Sequence, residues 1–172
     1  MLVSEIAGSK PGDDRCLYTL AHELGTICTH AGILLATAES CTGGWIAKCI
    51  TDVPGSSAWF RAGIVAYANE EKISLLGVPA SRIERHGAVS REVAVAMAQG
   101  AHARTGADLI VAVTGVAGPS GGAAGKPVGT VWLAWIGAKE RLSSVLETFP
   151  GNREQVRRAT VRRALEGLLD AI

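Results

Sequence analysis

The stretch Ile33-Leu34-Leu35-Ala36-Thr37-Ala38-Glu39-Ser40-Cys41-Thr42-Gly43-Gly44-Trp45-Ile46-Ala47-Lys48-Cys49-Ile50 decides the fold class. Its apolar start, Ile33 to Thr37, predicts a short buried strand. Its end, Trp45 to Ile50, predicts a helix. A hydroxyl and a thiol therefore sit in a strand-to-helix turn. Open α/β sheets bind ligands at the carboxyl ends of their strands. The free N–H groups of a helix start attract anions and developing oxyanions. Two glycines let a substrate approach the backbone closely. Ser40 is thus a candidate nucleophile, with the backbone of Cys41, Thr42, Gly43 and Gly44 as a candidate oxyanion hole. The plainer reading of the same residues is an ordinary glycine turn with a capping hydroxyl.

Upstream, Gly8-Ser9-Lys10-Pro11-Gly12 makes residues 1–12 a flexible lead-in, and the domain is expected over 13–172. Leu17, Leu20, Leu24 and Ile27 recur at helical spacing, with Asp13 or Asp14 as N-cap and Gly32 as the stop. Downstream, the first helix after the turn ends near Pro54-Gly55-Ser56-Ser57. Gly63-Ile64-Val65-Ala66-Tyr67 predicts a second buried strand. Asn69 is the expected N-cap of a helix through Leu76. Ser81 and Glu84 form a capping-box pattern in a short helix. Ser90 caps a longer one from Arg91 to about Arg104. Leu109 to Val113 predicts a third strand, continuously apolar as buried parallel strands are. It opens into the glycine-rich loop Thr114 to Gly122. Val128 to Ile136 and Leu142 to Phe149 predict an antiparallel hairpin turning at Gly137-Ala138-Lys139-Glu140. Asn152 caps a terminal helix reaching Leu169. The alternation predicts the α/β class: a three-layer α/β/α single domain with a mixed, mostly parallel sheet.

The totals narrow the function classes. A chain of 172 residues that is 48% apolar can bury a real core. A net charge of +1 argues against a broad nucleic-acid surface. No run is long and apolar enough for a membrane span, and no signal peptide is recognisable. Cys16, Cys28, Cys41 and Cys49 lack paired spacing, so free thiols in a reducing cytoplasm are expected.

Three strand ends carry polar clusters: Ser40, Cys41 and Thr42; Tyr67, Asn69 and Lys72; Thr114 and the glycines that follow. If the strands are neighbours, the clusters converge. Serine needs a base. His22, His30, His86 and His102 read as structural or surface residues, and no Ser-His-Asp set can be assembled. Lys72 falls in the first turn of its expected helix, where the dipole disfavours an ammonium, and burial would lower its pKa further. A neutral lysine could accept the Ser40 proton, and Tyr67 could relay it. The competing readings are a solvated lysine and a core aromatic. Cys41 competes with Ser40 as nucleophile, or is a small buried filler. Cys16, His22, Cys28 and His30 lack metal-ligand spacing, so no metal and no cofactor are expected. Gly118 to Lys126 is not a Walker A loop, because Pro127 stands where Ser or Thr is required. Of the arginines near the C-terminus, Arg157, Arg158, Arg162 and Arg163 read as a solvated face. Arg153, at the helix start, could hold a phosphate.

The segments Thr37 to Gly44, Pro54-Gly55-Ser56-Ser57, Tyr67-x-Asn69-x-x-Lys72, His86 to Ser90, Thr114 to Pro119 and Lys126 to Val131 together resemble the CinA C-terminal domain family, the nicotinamide-nucleotide amidohydrolases (PncC), across residues 14–170. The resemblance implies a cytoplasmic, metal-free, homo-oligomeric enzyme (dimer or higher). Its reaction would convert nicotinamide mononucleotide to nicotinate mononucleotide and ammonia. It places the catalytic serine, tyrosine and lysine on Ser40, Tyr67 and Lys72. Its threonine falls on Thr114 and its substrate-binding arginine on Arg153. Ser56, Ser57, Asn69, Gly115, Gly118, Gly121 and Gly122 join them as expected substrate contacts. Ser120 stands where relatives often have an acidic residue. The expected partner is a small nucleotide, not nucleic acid or a membrane. The alternative is a catalytically silent nucleotide- or partner-binding module of the competence and damage-inducible type.

Overall fold

The computed structural model describes residues 13–137 and 140–172. The lead-in and part of the hairpin turn lie outside the described residues. The elements are α1 (Asp14–Ala31), β1 (Leu35–Glu39), α2 (Trp45–Thr51), β2 (Phe60–Val65), α3 (Asn69–Leu76), α4 (Ala80–His86), α5 (Arg91–Thr105), β3 (Leu109–Gly115), β4 (Thr130–Gly137), β5 (Arg141–Thr148) and α6 (Arg153–Asp170). A short 3-10 turn, Ser56–Ala58, precedes β2.

The five strands lie in the order β2-β1-β3-β4-β5. β1 is parallel to β2 and β3, while β4 runs antiparallel to β3 and to β5. The expected mixed sheet and C-terminal hairpin are both present. Strand alternation divides the core in two. Leu35, Leu109, Val111, Val113, Leu133 and Trp135 face α1, α2 and α6. Ala36, Ala38, Ile110, Ala112 and Ala134 face Ala94, Met97, Ala98 and Ala101 of α5. Alanine on alanine lets α5 lie close to the sheet. The layers are therefore helix, sheet, helix.

Caps explain several boundaries. Asp13 accepts from Cys16 N, and Ser90 from Val93 N. Asn152 and Gln155 form a reciprocal capping box that starts α6 at Arg153. Other expectations are corrected. β1 begins two residues later than its apolar run and takes in Glu39, because pairing with β3 runs from Leu35 to Glu39. β2 alternates between half-buried and exposed, because it is an edge strand and not an interior one. It ends at Val65, so Tyr67 lies in the connection beyond it. Ala68, not Asn69, is the residue before α3. Pro79 precedes α4, which puts Ser81 inside the helix and removes its capping role.

The register sets the site. Glu39 pairs with both Val65 and Val113, so the parallel pairing ends at one level, with β3 running on to Thr114 and Gly115. Ser40 N donates to Val113 O at 3.1 Å and Ala66 N to Glu39 O at 2.9 Å, extending the ladder by one residue.

Candidate active site

Just beyond those level ends, Ser40, Cys41, Tyr67, Asn69, Lys72, Thr114, Gly115 and Arg153 line one cavity of about 210 Å³, together with Ala88, Val89 and Ala117. Three segments distant in sequence thus meet, as the strand-end clusters anticipate. A larger depression of about 420 Å³ lies between β5 and α6, but its arginines are paired with Glu147, Glu154 and Glu166 and no serine, threonine, cysteine or lysine lines it among the described residues. Chemistry, not size, marks the smaller cavity as the site.

Lys72 is only 2% exposed, among the largest fully buried side chains of the molecule. Its Nζ donates to Tyr67 O at 3.1 Å and forms no ion pair among the described residues, with Glu70 acting on it only at a distance. Burial without an anionic partner disfavours the charged form, and the pKa lies below the usual 10.5. Ser40 is 7% exposed, and its hydroxyl makes no hydrogen bond among the described residues. Tyr67 meets Lys72 through its carbonyl. Tyr67 as a whole is 57% exposed, and its phenol accepts instead from Arg153 Nη2 at 2.8 Å, while Arg153 Nη1 donates to Gly118 O at 2.8 Å. Thr114 donates to Ala88 O at 2.9 Å, tying β3 to the entry of α5.

The turn after β1 is held from two sides. Glu39 is fully buried, and strand alternation sends it to the α2 side of the sheet. Its carboxylate accepts five hydrogen bonds: from Thr37 Oγ1 (3.2 Å), Thr42 Oγ1 (2.7 Å), Gly44 N (3.0 Å), Ile46 N (3.1 Å) and Ala47 N (2.8 Å). From the outside, Arg157 donates to Cys41 O at 3.2 Å and to Thr42 O at 2.7 Å. Gly43 and Gly44, with φ of 60° and 90°, supply the left-handed backbone this turn requires. Gly43 N donates to Ser40 O at 3.0 Å. The N–H groups of Gly43, Gly44 and the α2 start are therefore already committed. Those of Cys41 and Thr42 donate to no other described residue.

A model of the CinA C-terminal domain matches residues 17–172. The chain belongs to the CinA C-terminal domain family. This CinA domain is 56% identical over 88% of its length to the nicotinamide-nucleotide amidohydrolase PncC of Pseudomonas putida, covering 94% of that protein. It is 58% identical over 80% of its length to a CinA-like protein of Geotalea daltonii, but spans only 33% of that longer chain. Its fold matches the crystal structure of the competence/damage inducible protein CihA from Agrobacterium tumefaciens with a TM-score of 0.87. The two are 44% identical, and the match covers 91% of this chain and 95% of the other.

Within this CinA domain, other expected residues fall elsewhere. Ser56 and Ser57 precede β2, at the opposite end of the sheet from the site, and do not line the cavity. A segment entering a parallel strand cannot also lie where its neighbours exit. Gly121 and Gly122 are likewise outside the lining, and Gly118 takes part through its carbonyl. The Cys41 thiol is buried, and burial pushes its pKa up to about 12, which disfavours the thiolate a nucleophile needs. His86 stands 3.8 Å from Glu92, an acidic neighbour its sequence surroundings do not suggest, but neither borders the cavity. Arg158, Arg162 and Arg163 are partly buried and not on a solvated face; they form ion pairs, and Arg158 and Arg163 also lie over Trp45 and Trp135. Arg157 instead braces the nucleophile turn and stacks over Trp45 at 5.2 Å. Glu39 and Arg157 are the site residues that sequence reasoning passes over. The one available signal was a carboxylate ending an apolar strand, a position too costly to leave unpartnered.

Proposed function

We propose that the chain is an amidohydrolase that converts nicotinamide mononucleotide to nicotinate mononucleotide and ammonia, recycling pyridine nucleotide. The observation that carries this reading is Lys72: a buried amine with no ion-pair partner among the described residues, on the same cavity as an unbonded serine hydroxyl. A binding module has no need of such a pair. A neutral lysine accepts a proton, and a serine beside it becomes a nucleophile.

In this mechanism Ser40 Oγ attacks the carboxamide carbon while its proton passes to Lys72 Nζ. The tetrahedral oxyanion takes the uncommitted N–H groups of Cys41 and Thr42. One such donor is typically worth about 3 kcal/mol. The C–N bond then breaks, and the Lys72 proton reaches the departing ammonia through Tyr67 Oη. Water then attacks the acyl ester as its proton passes to Lys72; the C–O bond to Ser40 breaks, Lys72 hands that proton to Ser40 Oγ, and the nicotinate product leaves with both groups restored. Arg153 binds the nucleotide phosphate; in doing so it leaves Tyr67 Oη and frees the phenol for its relay. Asn69, Thr114 and Gly115 border the bound nucleotide. Ser56, Ser57, Gly121 and Gly122 contact substrate only if a neighbouring copy or a loop closure brings them near.

The enzyme works in the cytoplasm as a homo-oligomer, without metal or cofactor. Its free thiols support the compartment. The exposed apolar residues Val65, Ile73 and Leu75 on and beside the edge strand support self-association. The test is ammonia release from nicotinamide mononucleotide by wild type and Ser40→Ala. Full turnover by the variant would refute the reading.

A further inference from the structure

Glu39 is bound to none of the reacting groups in the scheme above, yet it is the most heavily hydrogen-bonded side chain around the turn. It is fully buried, and a buried carboxylate is costly unless every lone pair is used. Its Oε2 takes Thr42 Oγ1 and the N–H groups of Gly44 and Ile46; its Oε1 takes Thr37 Oγ1 and Ala47 N–H. All are donors, which suits an acceptor-only group. Arg157 does the reverse on the outer side, donating to the carbonyls of Cys41 and Thr42. Donors of the turn are drawn inward and its acceptors outward. What this leaves over are the N–H groups of Cys41 and Thr42.

We infer that Glu39 is a positioning residue for the nucleophile: with Arg157 it clamps the Ser40–Ala47 backbone so that the Cys41 and Thr42 amides remain the free donors of the oxyanion hole. This rests on the amidohydrolase reading. Two consequences follow. The start of α2 is not the oxyanion site, because Glu39 already occupies its N–H groups. The Glu39 carboxylate is also kept on the α2 side of the sheet, so it does not pair with Lys72 and hold its proton.

The experiment is a set of variants on the full chain. Glu39→Gln keeps the shape but sets an NH₂ against the donors of Ala47 or of Gly44 and Ile46. It is expected to lower kcat at least about tenfold with KM within about twofold, because the missing stabilisation is in the transition state and not in ground-state binding. Val161→Ala, a buried α6 position outside the site, serves as the stability control at a temperature equally far below its own Tm. Labelling of Ser40 by a fluorophosphonate, read by intact mass, gives a second readout that does not depend on the natural substrate. Slower labelling of Glu39→Gln than of Val161→Ala supports the inference. Full kcat in Glu39→Gln, or an equal loss in Val161→Ala, overturns it. If wild type labels at Ser40 but releases no ammonia from the nucleotide, the substrate reading fails alone and labelling rates still decide Glu39. If wild type does neither, both fall together.

Discussion

Arg153 and Tyr67 are joined by a 2.8 Å hydrogen bond from guanidinium to phenol, linking the first residue of α6 to the connection after β2. The same guanidinium holds Gly118 O, so one side chain closes the cavity between a helix start and the glycine-rich loop. In the proposed reaction this arginine trades the phenol for the substrate phosphate.

Removing it should therefore discriminate between substrates. Arg153→Ala is expected to raise KM for the mononucleotide by about 10–100-fold, the usual worth of hydrogen bonds to a charged group. KM for nicotinamide riboside, which has no phosphate, should be unchanged. Steady-state ammonia release on both substrates checks this, and equal losses on the two would remove Arg153 from phosphate binding.

Lys72 predicts two pH effects. The neutral amine is the active base, so kcat/KM should rise with pH and level off, its midpoint below the ordinary 10.5. Lys72→Arg cannot lose its proton and should be inactive. Stability follows the same group. Its folded pKa is lowered, so the unfolded chain binds more protons between the lowered value and 10.5. Stability therefore rises with pH through that window, and is lost as pH falls through the folded value. Lys72→Met has no such cost. It should melt above wild type at neutral pH, with the difference shrinking toward pH 10.5. A melting series across pH on both proteins tests this; parallel curves would mean the amine is not desolvated.

Ser40 and Cys41 should separate cleanly. Ser40→Ala is expected to lose about 10³-fold or more in kcat while still binding nucleotide by calorimetry. Cys41→Ala should stay within about threefold of wild type, because burial and the raised pKa disfavour the thiolate. Inactivation by an alkylating reagent, mapped to Cys41 by mass spectrometry, would reverse the assignment.

Gly100 places α5 against the end of α3, the helix that carries Lys72. A Cβ there would stand 1.8 Å from Leu76 O, a backbone atom that cannot swing aside. Gly100→Ala should cost about 1–3 kcal/mol and lower Tm by about 2–4 °C for each kcal/mol. Activity should fall with it if the displaced α3 carries Lys72 out of the cavity. Thermal melting and turnover together read both effects.

Much of the architecture was legible because it rests on local rules. Asp13, Ser90 and Asn152 cap helices through their own neighbours, and Gly32, Gly77 and Gly106 close them in the left-handed conformation. The apolar run Leu109 to Val113 reads as an interior strand and is one. The apolar run before Tyr67 reads the same way and is an edge strand. Burial on one face or two depends on which strands lie beside it, and no window of β2 contains that information.

By itself, then, the chain's order of residues determined the helix and strand alternation, the layered α/β class and the gathering of Ser40, Tyr67, Lys72, Thr114 and Arg153 as candidates. Tertiary structure alone decided how they are used. It put Ser56 and Ser57 at the far end of the sheet, gave the amides of Gly43 and Gly44 to internal bonds, and drew Arg157 off the solvated face onto the nucleophile turn. It also buried Lys72 without an ion-pair partner among the described residues. The physical reason is that capping and periodicity act within a few residues, whereas desolvation and hydrogen-bond competition are set by groups far apart in the chain, 116 positions between Cys41 and Arg157.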